Sequence, residues 1–255
     1  MKIKQFIDDL KSVPGDIVVV HSGLMGLRKL GLSVPGIVDV LMDVYRDRQL
    51  VMPAYTYDFP RTGVFDAVLS KPSTGAVCEE YMSRQGVVRT SHAMNSYLSI
   101  PGLPQQLRDG WGYGGVMWYL WKQNAAFISL GVPILKSCSY FHLAECELGV
   151  PYRFSKTFRG VYEWDNVFYR EIESEAYVGP LGCPQDFWAA PADALLEKWE
   201  LKHRCRYFDW LEMRHIHLAA KECLRKDPYS LLRNGPEVKA YVESGGLERE
   251  RLAAA

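Results

Sequence analysis

The chain has 255 residues, 48% of them hydrophobic, so it can bury a sizeable core. Its 30 Lys+Arg balance 30 Asp+Glu, which leaves no basic surplus for nucleic acid and no acidic surplus for a cationic partner. No apolar run approaches the roughly 20 residues that span a bilayer, and Met1 to Leu10 carries charges every few residues instead of a signal-peptide core; a cytoplasmic protein without membrane insertion is expected. Lys4 to Ser12 predicts an amphipathic helix with Phe6, Ile7 and Leu10 on one side. Ile17 to Val20 is a β-branched run of buried-strand type that ends at His21-Ser22-Gly23. Ser33 caps, and Pro35 opens, a helix that continues over Ile37 to Tyr45. Leu50 to Thr56 is a second strand, followed by a loop containing Pro60, Gly63 and Pro72. Ser73-Thr74-Gly75 precedes a helix over Ala76 to Ser83, Ser96 to Pro101 is a strand, and Leu107 to Tyr119 opens as a glycine-rich loop and closes as a helix. Ala126 to Val132 is a clear strand and Tyr140 to Leu148 a helix.

Strands alternating with helices over residues 1–150 predict an α/β layered core carrying the binding loops. After residue 150 the pattern changes. Two paired strands, Arg159 to Tyr169 and Arg170 to Tyr177, flank Asp165-Asn166, and helices cover Phe187 to Lys198 and Phe208 to Leu224. Residues 151–255 thus add a hairpin and helices that complete one domain over 1–255. The six cysteines, at 78, 138, 146, 183, 205 and 223, show no Cys-x-x-Cys pair and no zinc-like spacing. They read as reduced thiols, and no metal is expected.

Four polar segments sit where an α/β sheet places its site: His21-Ser22-Gly23, Thr56-Tyr57-Asp58, Ser73-Thr74-Gly75 and Ser91-His92. Singly, each has a plainer reading. Ser73 suits an N-cap, His21 a structural histidine, and a serine after a strand is most often a turn residue. His92 and Glu145 together are the minimal kit for taking a proton from an amine near neutral pH, and His142 stands three residues ahead of Glu145, on the same helix face.

In colinear order these segments resemble the antibiotic N-acetyltransferase family, founded on the aminoglycoside 3-N-acetyltransferases. Its His-Ser-Ser-Leu looks like His21-Ser22-Gly23-Leu24, and its Met-Pro-Thr-Phe-Thr looks like Met52-Pro53-Ala54-Tyr55-Thr56. Its Pro-Ser-x-x-Gly-Ala looks like Pro72-Ser73-Thr74-Gly75-Ala76, one residue shorter, and its Arg-Ser-x-His-Pro-x-x-Ser looks like Arg89 to Ser96. Its Leu-His-Leu-Ala-Glu is nearly verbatim in Phe141-His142-Leu143-Ala144-Glu145, and Arg206 to Asp209 resembles its C-terminal Arg-Leu-Phe-Asp.

The resemblance implies an α/β/α sandwich around a mixed sheet and direct acetyl transfer from acetyl-CoA, as co-substrate, to the primary amine of an amino sugar. It implies catalysis by His92 as general base with Glu145, and CoA held along His21, Ser22, Gly23, Leu24, Thr56, Ser73, Thr74, Gly75 and Ser91. Ser22 or Ser91 would donate to the tetrahedral oxyanion. His142, Lys136, Trp111 and Tyr113 are expected at the acceptor. This chain departs from the pattern at Gly23 and Ala93, has a shorter loop after Thr56, and carries Lys136 where antibiotic-modifying members usually have an aspartate. A lysine there suits an anionic acceptor better than a polycation, and Trp111 or Tyr113 could stack on a base. The expected acceptor is therefore a nucleotide-linked amino sugar of surface-polysaccharide biosynthesis. The alternatives are an aminoglycoside 3-N-acetyltransferase proper and a non-catalytic protein that binds CoA or a sugar nucleotide. A hydrolase using Ser22 lacks the Gly-x-Ser-x-Gly elbow. The clustered aromatics also suit a homodimer interface.

Overall fold

In the computed structural model, residues 2–104, 107, 112, 114–134, 138–183, 186, 187 and 190–254 are described. Helix α1 (Lys2–Lys11) turns Phe6 and Leu10 inward. The β-branched run becomes β1 (Ile17–Ser22), buried along nearly its whole length. A short turn of helix, α2 (Leu24–Leu27), leads to α3 (Val34–Val44), whose Ser33 cap accepts the Gly36 N–H at 3.2 Å, with a proline in its first turn. Then come β2 (Gln49–Pro53), α4 (Phe59–Thr62), β3 (Val64–Asp66), α5 (Ala76–Met82), β4 (Val88–Arg89), β5 (Tyr97–Ile100), α6 (Val116–Lys122) and β6 (Ala126–Leu130).

The second half supplies α7 (Phe141–Leu148), β7 (Phe154–Trp164), β8 (Val167–Val178), α8 (Ala190–Lys198), β9 (His203–Arg204), β10 (Phe208–Glu212), α9 (Met213–Lys226), α10 (Gly235–Glu243) and α11 (Gly246–Ala254). The hairpin turns at Asp165-Asn166, both at positive φ, a pair that tolerates the left-handed region. One element differs from expectation. The sequence pattern predicts a single helix over Phe208 to Leu224, but its first five residues form β10, with Phe208 opposite Leu130 and Glu212 opposite Ala126. The open edge of β6 takes backbone partners there, and the helix begins only at Met213. Phe187 likewise lies ahead of its helix, in an isolated bridge with Leu232.

The main sheet has seven strands in the order β4-β5-β2-β1-β6-β10-β9. Its core, β2-β1-β6, is parallel, while β5 and β10 flank it antiparallel. The sheet is mixed and covered on both faces. Val18 and Val20 pack toward α1, α3 and α5 through Phe6, Ile37, Leu41 and Tyr81. Val19 and Phe127 pack the other way, toward α6, α7 and α9 through Leu120, Phe141, Ile216 and Ala220. This is an α/β/α sandwich. A smaller sheet, β3-β7-β8, closes over a third cluster built on Phe59, Phe65, Ala93 and Tyr162. No described helix is long and apolar enough to cross a membrane.

Candidate active site

The chain leaves β1 toward β2 on one side and returns as β6 on the other. The carboxyl ends of β1, β2 and β6 therefore diverge at a topological switch point, where open α/β sheets form a crevice. A cleft of about 350 Å³ lies there, within the range of small-molecule sites. His21 and Ser22 reach it from the end of β1, Tyr55 and Tyr57 from the segment after β2, Ser73 and Thr74 from the turn before α5, and Ser139 and His142 from the start of α7. Val132, Cys138 and Phe187 supply apolar wall. Among the described lining residues none is Asp, Glu, Lys or Arg.

The i,i+3 spacing on α7 brings His142 onto Glu145. His142 Nδ1 lies 2.6 Å from Glu145 Oε2. Glu145 is fully buried, and its other contacts are the Tyr152 hydroxyl, donating to Oε1 at 2.6 Å, and the Arg153 guanidinium, with Nε 2.8 Å from Oε2 in an ion-pair contact. Burial alone would raise this carboxyl. The Arg153 charge, His142 and the two hydrogen bonds outweigh it and hold the group at about 2, against the ordinary 4.5. A carboxylate ionised at neutral pH favours the tautomer with its hydrogen on Nδ1, and in that tautomer Nε2 carries the lone pair on a ring that lines the cleft. That is the arrangement of a general base.

His92 is placed elsewhere. It is buried, its Nδ1 accepts the Asn95 N–H at 3.0 Å, and its Nε2 lies 3.0 Å from the Glu175 carbonyl oxygen, to which it donates. With Ser91 it lines a smaller pocket against β8, not the cleft at the strand ends. The expectation that His92 works with Glu145 is therefore corrected by geometry. Both ring nitrogens are committed to backbone groups, and Glu145 already holds His142. Among the described residues no group of three His, Cys, Asp or Glu is arranged to hold a metal ion.

The sequence model of the family described as aminoglycoside 3-N-acetyltransferase matches residues 19–205. The chain belongs to that family. The acetyltransferase is accordingly CoA-dependent, an N-acetyltransferase that takes acetyl-CoA as co-substrate. Solved structures share its fold. The apoenzyme of aminoglycoside acetyltransferase AAC(3)-IVa superposes with a TM-score of 0.70 at 20% identity, covering 91% of this chain and 90% of that one. A mutant of the same enzyme in complex with a gentamicin gives 0.69 at 19% identity, covering 92% and 91%. AAC-IIIb in a binary complex with CoASH gives 0.63 at 15% identity, covering 86% and 93%. Comparison with curated proteins gave no significant match.

The other expected contacts of the acetyltransferase divide between wall and scaffold. Ser73 and Thr74 are at the cleft, and each also braces a loop: Ser73 Oγ accepts the Tyr57 N–H at 3.2 Å and Thr74 Oγ1 donates to the Pro53 carbonyl at 2.6 Å. Ser73 does not cap α5, which starts from Gly75 at φ +108 without a side-chain cap. Thr56 is buried, and its hydroxyl accepts from Arg89 at 2.8 Å, so it buttresses the loop instead of lining the cleft. Leu24 and Gly75 are not among the lining residues. Gly23 is explained by packing: a Cβ there would stand 2.7 Å from the Val132 Cβ, so the family's second serine has no room beside the β6 loop. Trp111, Tyr113 and Lys136 lie outside the described residues. Sequence reasoning missed Ser139 and Tyr55 as wall residues, and Tyr152 and Arg153 as the clamp on Glu145. Ser139 carried a signal, standing one helical turn before His142.

Proposed function

We propose that this chain acetylates a primary amine of an aminoglycoside-type amino sugar, in a ternary complex with acetyl-CoA. One observation carries the reading: His142 lines the switch-point cleft while Glu145, buried and ionised, holds its Nδ1. In a productive complex the amine nitrogen attacks the thioester carbonyl and His142 Nε2 takes the amine proton. The C–S bond then breaks, leaving CoA as thiolate to be reprotonated. The hydroxyls of Ser22, Ser73 and Thr74 are suited to the amide groups of pantetheine, so CoA is assigned to their side of the cleft. A protein that only bound CoA would have no use for a desolvated carboxylate locked behind a histidine. Cys138, the thiol in the cleft wall, is a poor seat for an acyl group, because burial raises it to about 12. The acetyl-CoA requirement suits the cytoplasm.

An aminoglycoside acceptor is favoured over a nucleotide-linked sugar. Family membership supports it, as does the neighbour seen with a gentamicin; of the features that argued for a nucleotide, Lys136, Trp111 and Tyr113 lie outside the described residues. Thiol release from acetyl-CoA decides the matter. Gentamicin or apramycin should accelerate it by orders of magnitude over the acceptor-free rate. Turnover only with a nucleotide-linked amino sugar would overturn the acceptor, and acceptor-independent thiol release would overturn acetyl transfer itself.

A further inference from the structure

We propose that Tyr55 and Tyr97 form a hydroxyl chain that fixes the Ser139 hydroxyl as the hydrogen-bond donor for the oxyanion of acetyl transfer; this rests on the reading of the His142 cleft above. Ser139 lines that cleft at the N-terminal approach to α7, and its carbonyl accepts the His142 N–H at 3.1 Å. Its Oγ lies 2.7 Å from the Tyr55 hydroxyl, which in turn lies 2.8 Å from the Tyr97 hydroxyl. The two phenol rings meet edge to face at 5.6 Å, so the oxygens are held by packing as well as by hydrogen bonding. The residue after Ala54 is a tyrosine, and its hydroxyl is the link between Ser139 and Tyr97.

The direction of the chain follows from burial. Tyr55 and Tyr97 are almost wholly enclosed, whereas Ser139 is only half-buried. Each hydroxyl has one hydrogen to give, and an unplaced buried hydrogen is costly. If Tyr97 donates to Tyr55 and Tyr55 to Ser139, the last hydrogen emerges from Ser139 into the cleft. The opposite order would pass the Tyr97 hydrogen to the fully buried Tyr140 hydroxyl, which has no other hydrogen-bond partner, and so leave Tyr140's own hydrogen without an acceptor. Desolvation pushes Tyr55 and Tyr97 well above the ordinary phenol value, so both stay protonated and act as donors. A donor that itself accepts a hydrogen bond is polarised and strengthened, and its rotor is fixed before the oxyanion forms. Tyr55 and Tyr97 are thus positioning residues acting through Ser139.

A double-mutant cycle in kcat tests this. Ser139→Ala should lower kcat by roughly 10²-fold with KM for acetyl-CoA nearly unchanged, the size of a lost oxyanion donor. Tyr55→Phe should lower kcat by roughly 10-fold, Tyr97→Phe by less, since each weakens the donor without removing it. In the Ser139→Ala background, Tyr55→Phe should cost nothing further. Thermal unfolding of each variant separates a folding defect from a catalytic one. Wild-type kcat in Tyr55→Phe, or losses that multiply in the double variant, would overturn the chain. His142→Ala is run beside them. If it retains activity, the reading of the cleft fails; if it is inactive while Ser139→Ala is normal, only the oxyanion assignment fails.

Discussion

Two histidines three residues from a polar partner, His92 and His142, read alike as sequence and differ in everything that matters chemically. Around His92 the polar atoms are spent on backbone groups and neutral hydroxyls. Asn95 and Glu175 take the ring, while the buried Arg89 guanidinium donates to the Ala54 and Ser70 carbonyls and to the Thr56 and Ser96 hydroxyls. Among the described residues no carboxylate forms an ion pair with Arg89, and desolvation lowers it to about 10. This segment is a bracket that ties the end of β2 and the loop before α5 to the β4–β5 turn. Around His142 the partner is an ionised carboxylate on one side and an open cleft on the other. A motif's chemistry is set by what its polar atoms are bonded to: backbone partners make scaffold, whereas a charged partner opposite solvent makes a reactive group.

The contrast breaks most readily at His142. His142→Ala should cut kcat by roughly 10²–10⁴-fold in steady-state assays with saturating acetyl-CoA, the range for a lost general base, with a minor change in unfolding midpoint. Near-normal turnover would return His92 to contention. Glu145→Gln comes next. It can no longer hold the Nδ1 hydrogen by charge and leaves Arg153 uncompensated, so kcat should drop about 10²-fold and stability by roughly 3 kcal/mol, while CoA affinity is kept. It also predicts a pH signature. Glu145 is depressed from 4.5 to about 2 in the folded state, so its stabilisation is fully present above 4.5 and is lost as pH falls toward 2. Urea titrations of the wild type should therefore weaken over that window, and Glu145→Gln should flatten the slope.

Arg89→Met sharpens the other half of the comparison. Two carbonyls and two hydroxyls lose a buried donor, so unfolding in urea should show a loss of about 2–4 kcal/mol. Activity should fall only as far as the cleft loops loosen. The smallest effect is expected for His92→Ala: about 1–2 kcal/mol in stability and kcat within about threefold of wild type. A hundredfold fall in kcat at unchanged stability would show that the two histidines do not divide as described.

The parallel core of the sheet was legible because Ile17–Val20 and Ala126–Leu130 are β-branched or apolar almost throughout, the mark of strands buried on both faces. The His142–Glu145 contact was legible from helical spacing. His92 misled because Arg-x-Ser-His looks reactive in one dimension, and only three dimensions reveal that Glu175, from a distant strand, occupies the ring. Phe208–Glu212 reads as helix because the amphipathic pattern of α9 runs into it without a breaker; strand pairing with β6 overrode local preference. Tyr55 passes as a core aromatic, since nothing in its neighbourhood announces that Ser139 will meet its hydroxyl.

The position of β6 has a bearing on how the protein is made. Its first edge pairs with β1, already synthesised, but its second pairs with β10, which does not exist until residues 208–212 leave the ribosome. Through all the synthesis between, a strand of the sequence Ala-Phe-Ile-Ser-Leu presents unpaired backbone N–H and C=O groups, flanked by mostly apolar side chains, to whatever is nearby. A chain stopped short of β10 should aggregate instead of surviving as a weak enzyme, so nonsense or frameshift lesions late in the coding sequence should be as damaging as early ones.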